Sequence, residues 1–523
     1  MQKLQLACAV ATFSLLFTAA CGSGGINDGT SPGGSTPDNS ASEPGNPSNP
    51  PLTGIPDGTT GTKPPPETTD PGTTDPGTTP DPTEEPAEEA DVLPTPKRTL
   101  TASSLDELRT LIAEAVPGDR IELADGTYTN DTPILVSVQG TEEDPIVITA
   151  QTVGGATIGG SSSFLVEGAS HVILRGFKLT HGVEEEGVAL EILGSTHVRF
   201  TRNELALQDP TANSTWLRLE GAGSGYNRID HNYFHDKTST NVFFAVYGDA
   251  PDGGLGISQH DRIDHNYFHK LTIDGTEGGE CLRIGDSKRG VLSAHTVVEA
   301  NLFEECNGDP EVISNKSGEN VFRGNTLRNN KGSLVLRHGN KAVVDGNFIL
   351  NNAGGMRVYG HDHVITNNYI EGSTGTGAQG TLILNSGCTE ADTGDGADCS
   401  VATRVTVAHN TLVGNNPTHL VIGSTSSSRP LPPRDLRVEN NLIVGDAGKL
   451  VDFALAPEGF TAAGNVLWGA ASPGDMPSDA FVQADPRLER AEDGLMRPAA
   501  GSPVIGAASP SALGLTLDID GQA

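Results

Sequence analysis

The chain has 523 residues, 33 Lys and Arg against 67 Asp and Glu, a net charge of −34 and only 5% aromatic residues. So acidic a chain argues against nucleic acid as a partner, and six cysteines over this length exclude a fold built on a disulfide framework. Global charge does not fix what a local patch attracts.

Met1 to Ala20 combine a basic start at Lys3 with an apolar run through Val10, Phe13, Leu15, Leu16 and Phe17, then small residues before Cys21. That layout predicts a secretory signal over residues 1–20 and is too short for a spanning helix. Thr18-Ala19-Ala20-Cys21 followed by Gly22-Ser23 resembles a bacterial lipobox, with plain secretion as the alternative. Acylation at Cys21 would leave a secreted protein tethered to the bacterial outer membrane or cell surface, touching the membrane only through its anchor. Residues 21–97 hold 17 of the 34 prolines, no aromatic residue, and 13 Asp and Glu against two Lys. Such a stretch cannot bury enough surface to fold, so it is predicted to be a disordered linker.

Ser103-Ser-Leu-Asp-Glu-Leu-Arg-Thr-Leu-Ile-Ala-Glu-Ala opens like a capping box and spaces its apolar residues as an amphipathic helix does. From residue 170 onward an apolar strand ending in Asn recurs, with Leu, Ile, Phe or Tyr close behind. Copies end at Asn203, Asn232, Asn266, Asn301, Asn325, Asn347, Asn368, Asn410, Asn441 and Asn465, and from Asn301 to Asn368 the intervals are 24, 22 and 21 residues. Short strands rich in Val and Ile, no helical pattern between them, and a repeat of this length predict an all-β fold: a right-handed, single-stranded parallel β-helix over residues 98–450. The recurring Asn would stack into a hydrogen-bonded ladder. The helix would cover the open end of the solenoid, where sheet edges otherwise invite aggregation. Residues 451–523 are expected to hold the last coil and a C-terminal cap or tail.

Cys388 and Cys399 flank an Asp/Gly-rich loop they could close in an oxidising compartment. Cys281 and Cys306 lie 25 residues apart, near one coil, as two buried thiols or as a disulfide.

Three segments carry candidate chemistry: Glu277-Gly-Gly-Glu-Cys-Leu-Arg283, Gly308-Asp309-Pro-Glu311 leading to Lys316, and Leu334-Val-Leu-Arg337-His338. Lys316 and Arg337 are 21 residues apart, so they should sit on adjacent rungs about 5 Å apart. Asp309 and Glu311 share a face if extended, and Glu277 falls one rung earlier, 34 residues before Glu311. Between Ile313 and Arg357 there are seven Lys and Arg against two acids, a patch that would attract a polyanion.

These segments, with both Arg-Ile-Asp-His-Asn-Tyr-Phe copies and Gly355-Met-Arg-Val-Tyr-Gly360, resemble polysaccharide lyase family 6, which contains alginate lyases and the dermatan-cleaving chondroitinase B. The resemblance covers about residues 100 to 450. It implies β-elimination on an acidic polysaccharide, alginate first, with Lys316 as the base and Arg337 as charge stabiliser or acid. It also implies Ca2+ held at Glu277, Asp309 and Glu311, where Glu replaces the family's Asn and Asp replaces a Glu. Both departures keep an oxygen donor suited to a hard cation. Removing the C5 proton of a uronate builds charge on its carboxylate, which calcium and Arg337 would neutralise; a lysine base must be neutral, a form that neighbouring cations favour. Arg283, Lys331, His338, Arg357 and Tyr359 are candidate sugar contacts, although regular alternation would turn His338 away from Arg337 and inward. His231 and His265 occupy equivalent repeat positions and read as structural. The enzyme is expected to act as a monomer. A chondroitin or dermatan sulfate lyase, a mannuronan C5-epimerase and a non-catalytic surface adhesin remain as alternatives.

Overall fold

An Asn at one point of each coil can bond both the coil before and the coil after it, and this repetition organises the whole solenoid. A computed structural model describes residues 93–519, apart from 183–186, 209–212, 274–277, 378–379, 397, 415, 511–512, 514 and 516–517. The expected signal, lipidated cysteine and most of the linker lie outside the described residues.

The chain forms a parallel β-helix of three long sheets with 14, 13 and 14 strands; past the first coil, every third strand joins the same sheet. Side-chain amides of Asn203, Asn232, Asn266, Asn301, Asn325, Asn347, Asn368, Asn410, Asn441 and Asn465 form an unbroken series, each Nδ2 donating to the next Oδ1 at 2.9–3.1 Å. The residue before each Asn turns the corner with positive φ, as at His231 and His265 (both 54°) and Ala300 (51°). Gly324, Gly346 and Gly464 fill this position in three coils, where the lack of a Cβ removes the steric cost. His231 and His265 bond the carboxylates of Asp230 and Asp264 through Nδ1 and stack 4.8 Å apart, a structural arrangement.

Inside, Phe234, Phe268 and Phe303 stack at 4.9 and 4.8 Å and continue in register as Leu327, Ile349 and Ile370. At the N-terminal end the helix spans Leu105–Ala113. Ser104 caps it by accepting the Glu107 N–H at 3.2 Å, and the Glu107 carboxylate accepts the Ser103 N–H at 2.7 Å. Leu105, Leu108 and Ile112 are buried against the first strands, so the helix closes this opening as expected.

The solenoid runs beyond residue 450, through Lys449–Phe453, Glu458–Ala463, Asn465–Trp468 and Phe481–Val482. A hairpin of Leu488–Arg490 and Met496–Pro498 follows and lies back on the wall, where Arg490 pairs with Glu371 at 2.6 Å. Cys281–Cys306 and Cys388–Cys399 are both disulfide-bonded.

Candidate active site

Four neighbouring strands of one sheet build the site: Leu282–Gly285, Glu311–Lys316, Ser333–His338 and Met356–Val358. Leu282, Ile313, Leu334 and Met356 stand in register and point into the core, which sends the alternate positions Arg283, Ser314 and Arg357 to the outer wall. Lys316 and Arg337 therefore do lie on adjacent strands. The ladder slips by one residue after Asn315, however, so Lys316 faces His338 and Arg337 is the extra residue between Leu336 and His338.

Lys316 is 19% exposed, and its Nζ lies 3.7 Å from the carboxylate of Glu280, which is 5% exposed. Glu280 also accepts two bonds from Arg283, at 2.5 and 3.1 Å, and Arg283 reaches Tyr247 Oη at 3.2 Å. Burial alone would raise the Glu280 carboxyl, but Arg283 and Lys316 outweigh it and hold the group below its usual range. Arg283 thus anchors an acid beside the lysine.

Glu311 accepts Ser314 Oγ at 2.5 Å and pairs with Arg357. Asp309 accepts the N–H groups of Gly278 at 2.6 Å and Glu311 at 2.9 Å. Burial, followed by repulsion from Glu280 and Glu311, pushes the Asp309 carboxyl up to about 6. The carboxylates of Asp309 and Glu311 are hard oxygen donors that fit calcium in type. Glu277 lies outside the described residues, and among the described residues no three acidic, imidazole or thiol groups converge as a metal site.

Arg337 places its guanidinium carbon 5.3 Å from the Tyr359 ring and donates to the Asp398 carbonyl at 3.2 Å. Arg429 stands 5.3 Å from the same ring, so buried Tyr359 orients two cations. His338 is 1% exposed, with Nδ1 2.9 Å from Asp392. Its Nε2 has no hydrogen-bond partner among the described residues. Lys331 is exposed next to Gly332, which packs on the Asp309 backbone.

Sequence reasoning passed over Glu280, Tyr247, Arg429, Asp392 and Asp398. Only Glu280 carried a signal, as an acid within the first candidate segment; the others come from loops without periodicity.

A family model described as chondroitinase B matches residues 102–502, more than half of the chain. The PL6 family alginate lyase AlyGC superposes with a TM-score of 0.69 at 29% identity, covering 79% of this chain and 57% of that one. A mutant of the same lyase gives 0.68 at 30%, with 77% and 56% covered. A mannuronic acid specific polysaccharide family 6 lyase from human gut microbiota gives 0.61 at 25%, with 71% and 86% covered. The chain spans a little over half the length of the first two lyases. No curated protein matches it. With a family model that spans the coils holding Lys316 and Arg337 and solved relatives that cover most of the chain, the chain belongs to polysaccharide lyase family 6, the family of chondroitinase B.

Proposed function

We propose that this protein is a polysaccharide lyase that cleaves alginate by β-elimination. The observation that carries this reading is the placement of Lys316 and Arg337 on adjacent strands of one outer wall, with Glu311 at the start of the lysine's strand and Asp309 just before it. The choice of alginate rests on the two relatives named for alginate and for mannuronic acid.

Lys316 in its neutral form takes the proton from C5 of a uronate. The C5–H electron pair becomes the C4–C5 double bond as the C4–O bond breaks. The departing oxygen takes a proton from water or from the lysine ammonium, which resets the base. Arg337 stabilises the charge that builds on the uronate carboxylate; its high proton affinity makes it a better stabiliser than acid. Asp309 and Glu311 are the residues that would hold calcium, which when bound would neutralise the same carboxylate. Lys331, Arg357 and Arg429 supply positive charge along the wall for the rest of the polymer.

The test is a panel of poly-mannuronate, poly-guluronate and dermatan sulfate, with and without chelator, followed by the ultraviolet absorbance of the new double bond. Strong signal from the alginate blocks, lost in Lys316→Ala, is expected. Signal from dermatan sulfate alone would move the substrate, C5 inversion without absorbance would make the protein an epimerase, and silence on every polymer would refute the reading.

A further inference from the structure

Residues 388–399 leave the sheet after the strand Leu382–Leu384 and are closed by the Cys388–Cys399 bond. The loop is tied internally as well: the Asp398 carboxylate accepts Thr393 N at 2.5 Å and Thr393 Oγ1 at 2.9 Å, and Cys388 N donates to the Cys399 carbonyl at 2.8 Å. Three bonds then run from the loop to three consecutive residues at the end of the strand Ser333–His338 and just past it. The Asp398 carbonyl accepts Arg337 Nη1 at 3.2 Å, one Asp392 oxygen meets His338 Nδ1 at 2.9 Å, and the other accepts Gly339 N at 2.8 Å.

The side chain of Asp392 is 1% exposed and also accepts Ser400 Oγ at 3.3 Å. A Cβ at Gly290 would stand 2.9 Å from His338 Cβ and 3.4 Å from the Asp392 carboxylate, so the short turn Arg289–Val291 packs against both partners of this contact. His338 is thereby confined by that turn and the loop. This hold falls where the strand most needs one, because the register slip around Arg337 interrupts the ladder at that residue. A guanidinium on a flexible stem stabilises a developing charge only if it already stands in place.

We propose that the Cys388–Cys399 loop is a positioning clamp for Arg337, acting through Asp392 and the Asp398 carbonyl, and that Asp392 is a positioning residue of the elimination. The clamp rests on the reading of Arg337 as the group that stabilises the uronate carboxylate. The crosslink restricts the loop's freedom, and Asp392 transmits that restriction to the end of the strand. Its consequence is a turnover that depends on a loop 54 residues away in sequence from His338.

The experiment uses the full chain with Asp392→Asn, and separately with Cys388→Ser and Cys399→Ser together, assayed on poly-mannuronate beside thermal melting. Each change is expected to lower kcat by about 10- to 100-fold with KM within about twofold, as misplacement of a catalytic group does, while the protein stays folded at the assay temperature. In an Arg337→Lys background, where the guanidinium is gone, Asp392→Asn should cost less than about twofold. Full kcat in both loop variants, an equal loss in the Arg337→Lys background, or loss of the fold in both would overturn the clamp. Full turnover by Arg337→Lys would remove the role of Arg337 itself, and the clamp with it.

Discussion

Lys316 sits opposite His338 across the strand ladder, one residue further along than the 21-residue repeat suggests, and Arg337 is the residue that the slip leaves over. An extra residue in one strand bends it and re-aims the side chains on either side. Strict alternation would turn His338 inward; instead it packs among loops, beside Gly290 and Asp392. Arg337 is left to lie over Tyr359.

Replacing Arg337 by Ala should lower kcat by about 10²- to 10³-fold, the loss typical of removing one preorganised donor. Arg337→Lys should recover only part of it, because an ammonium neither stacks on Tyr359 nor forms a fork against a carboxylate. Melting temperatures should barely move, as the guanidinium is only partly buried. Wild-type turnover in either variant would show that the charge is stabilised elsewhere.

Calcium should act at Asp309 and Glu311. Chelation is expected to reduce turnover and added calcium to restore it. If the ion binds only the folded state, free calcium at about 100 times its dissociation constant adds about 2.7 kcal/mol of stability. A melt with and without calcium reads this independently of activity, and Glu311→Gln should shrink the shift. An identical melt under both conditions would mean that Arg357 and the backbone N–H groups already satisfy these acids.

The Asn ladder should show its worth most strongly in the middle. Asn325 is fully buried; it donates to the Val298 carbonyl and to Asn347, both at 2.9 Å, and accepts from Asn301 N and Nδ2 at 3.1 and 3.0 Å. Asn325→Ala strands donors and acceptors in two neighbouring coils, at about 1–3 kcal/mol for each buried group left unpaired. Asn465→Ala, at the last rung, strands the Asn441 amide groups and the Val438 carbonyl but breaks no link to a further Asn, and should cost less. Denaturant unfolding of both compares them, and equal losses would mean that the ladder does not act as a connected series.

The same ladder explains what the sequence reveals. A coil must place one polar residue at its corner and apolar residues at fixed offsets, so Asn301, Phe303 and their counterparts write the fold in a local and repeated code. Lys316 and Arg337 belong to that code, and their adjacency follows from one coil length. The register slip does not, since one inserted residue leaves no mark in a repeat that already varies from 21 to 42 residues. Asp392, Asp398 and Arg429 come from loops, where closure rather than period decides which side chain reaches the wall. Glu280 pairs with Arg283 three residues on in an irregular approach to the strand, a contact that strand alternation does not suggest.

Acid should weaken the fold through His363. Its imidazole is fully buried; Nε2 donates to the Tyr359 carbonyl at 2.8 Å while Nδ1 accepts the Ala342 N–H at 3.0 Å. Both nitrogens are committed in the neutral form, and a proton on Nδ1 would face an N–H. Burial accordingly holds this group down at about 4, below its ordinary 6.5. Above pH 6.5 the folded and unfolded chains are both neutral here, and nothing changes. Between 6.5 and about 4 the unfolded chain takes up a proton that the folded one refuses, so stability falls through that window and levels off below it. The whole loss from this residue is on the order of 3 kcal/mol. His181 and His419, each buried and held down at about 4, act in the same direction. Unfolding of wild type and His363→Gln at pH 7 and pH 5 should therefore give a smaller pH difference in the variant. If the two differences match, the acid sensitivity lies in other groups, and the carbonyl of the tyrosine beneath Arg337 does not depend on a neutral imidazole.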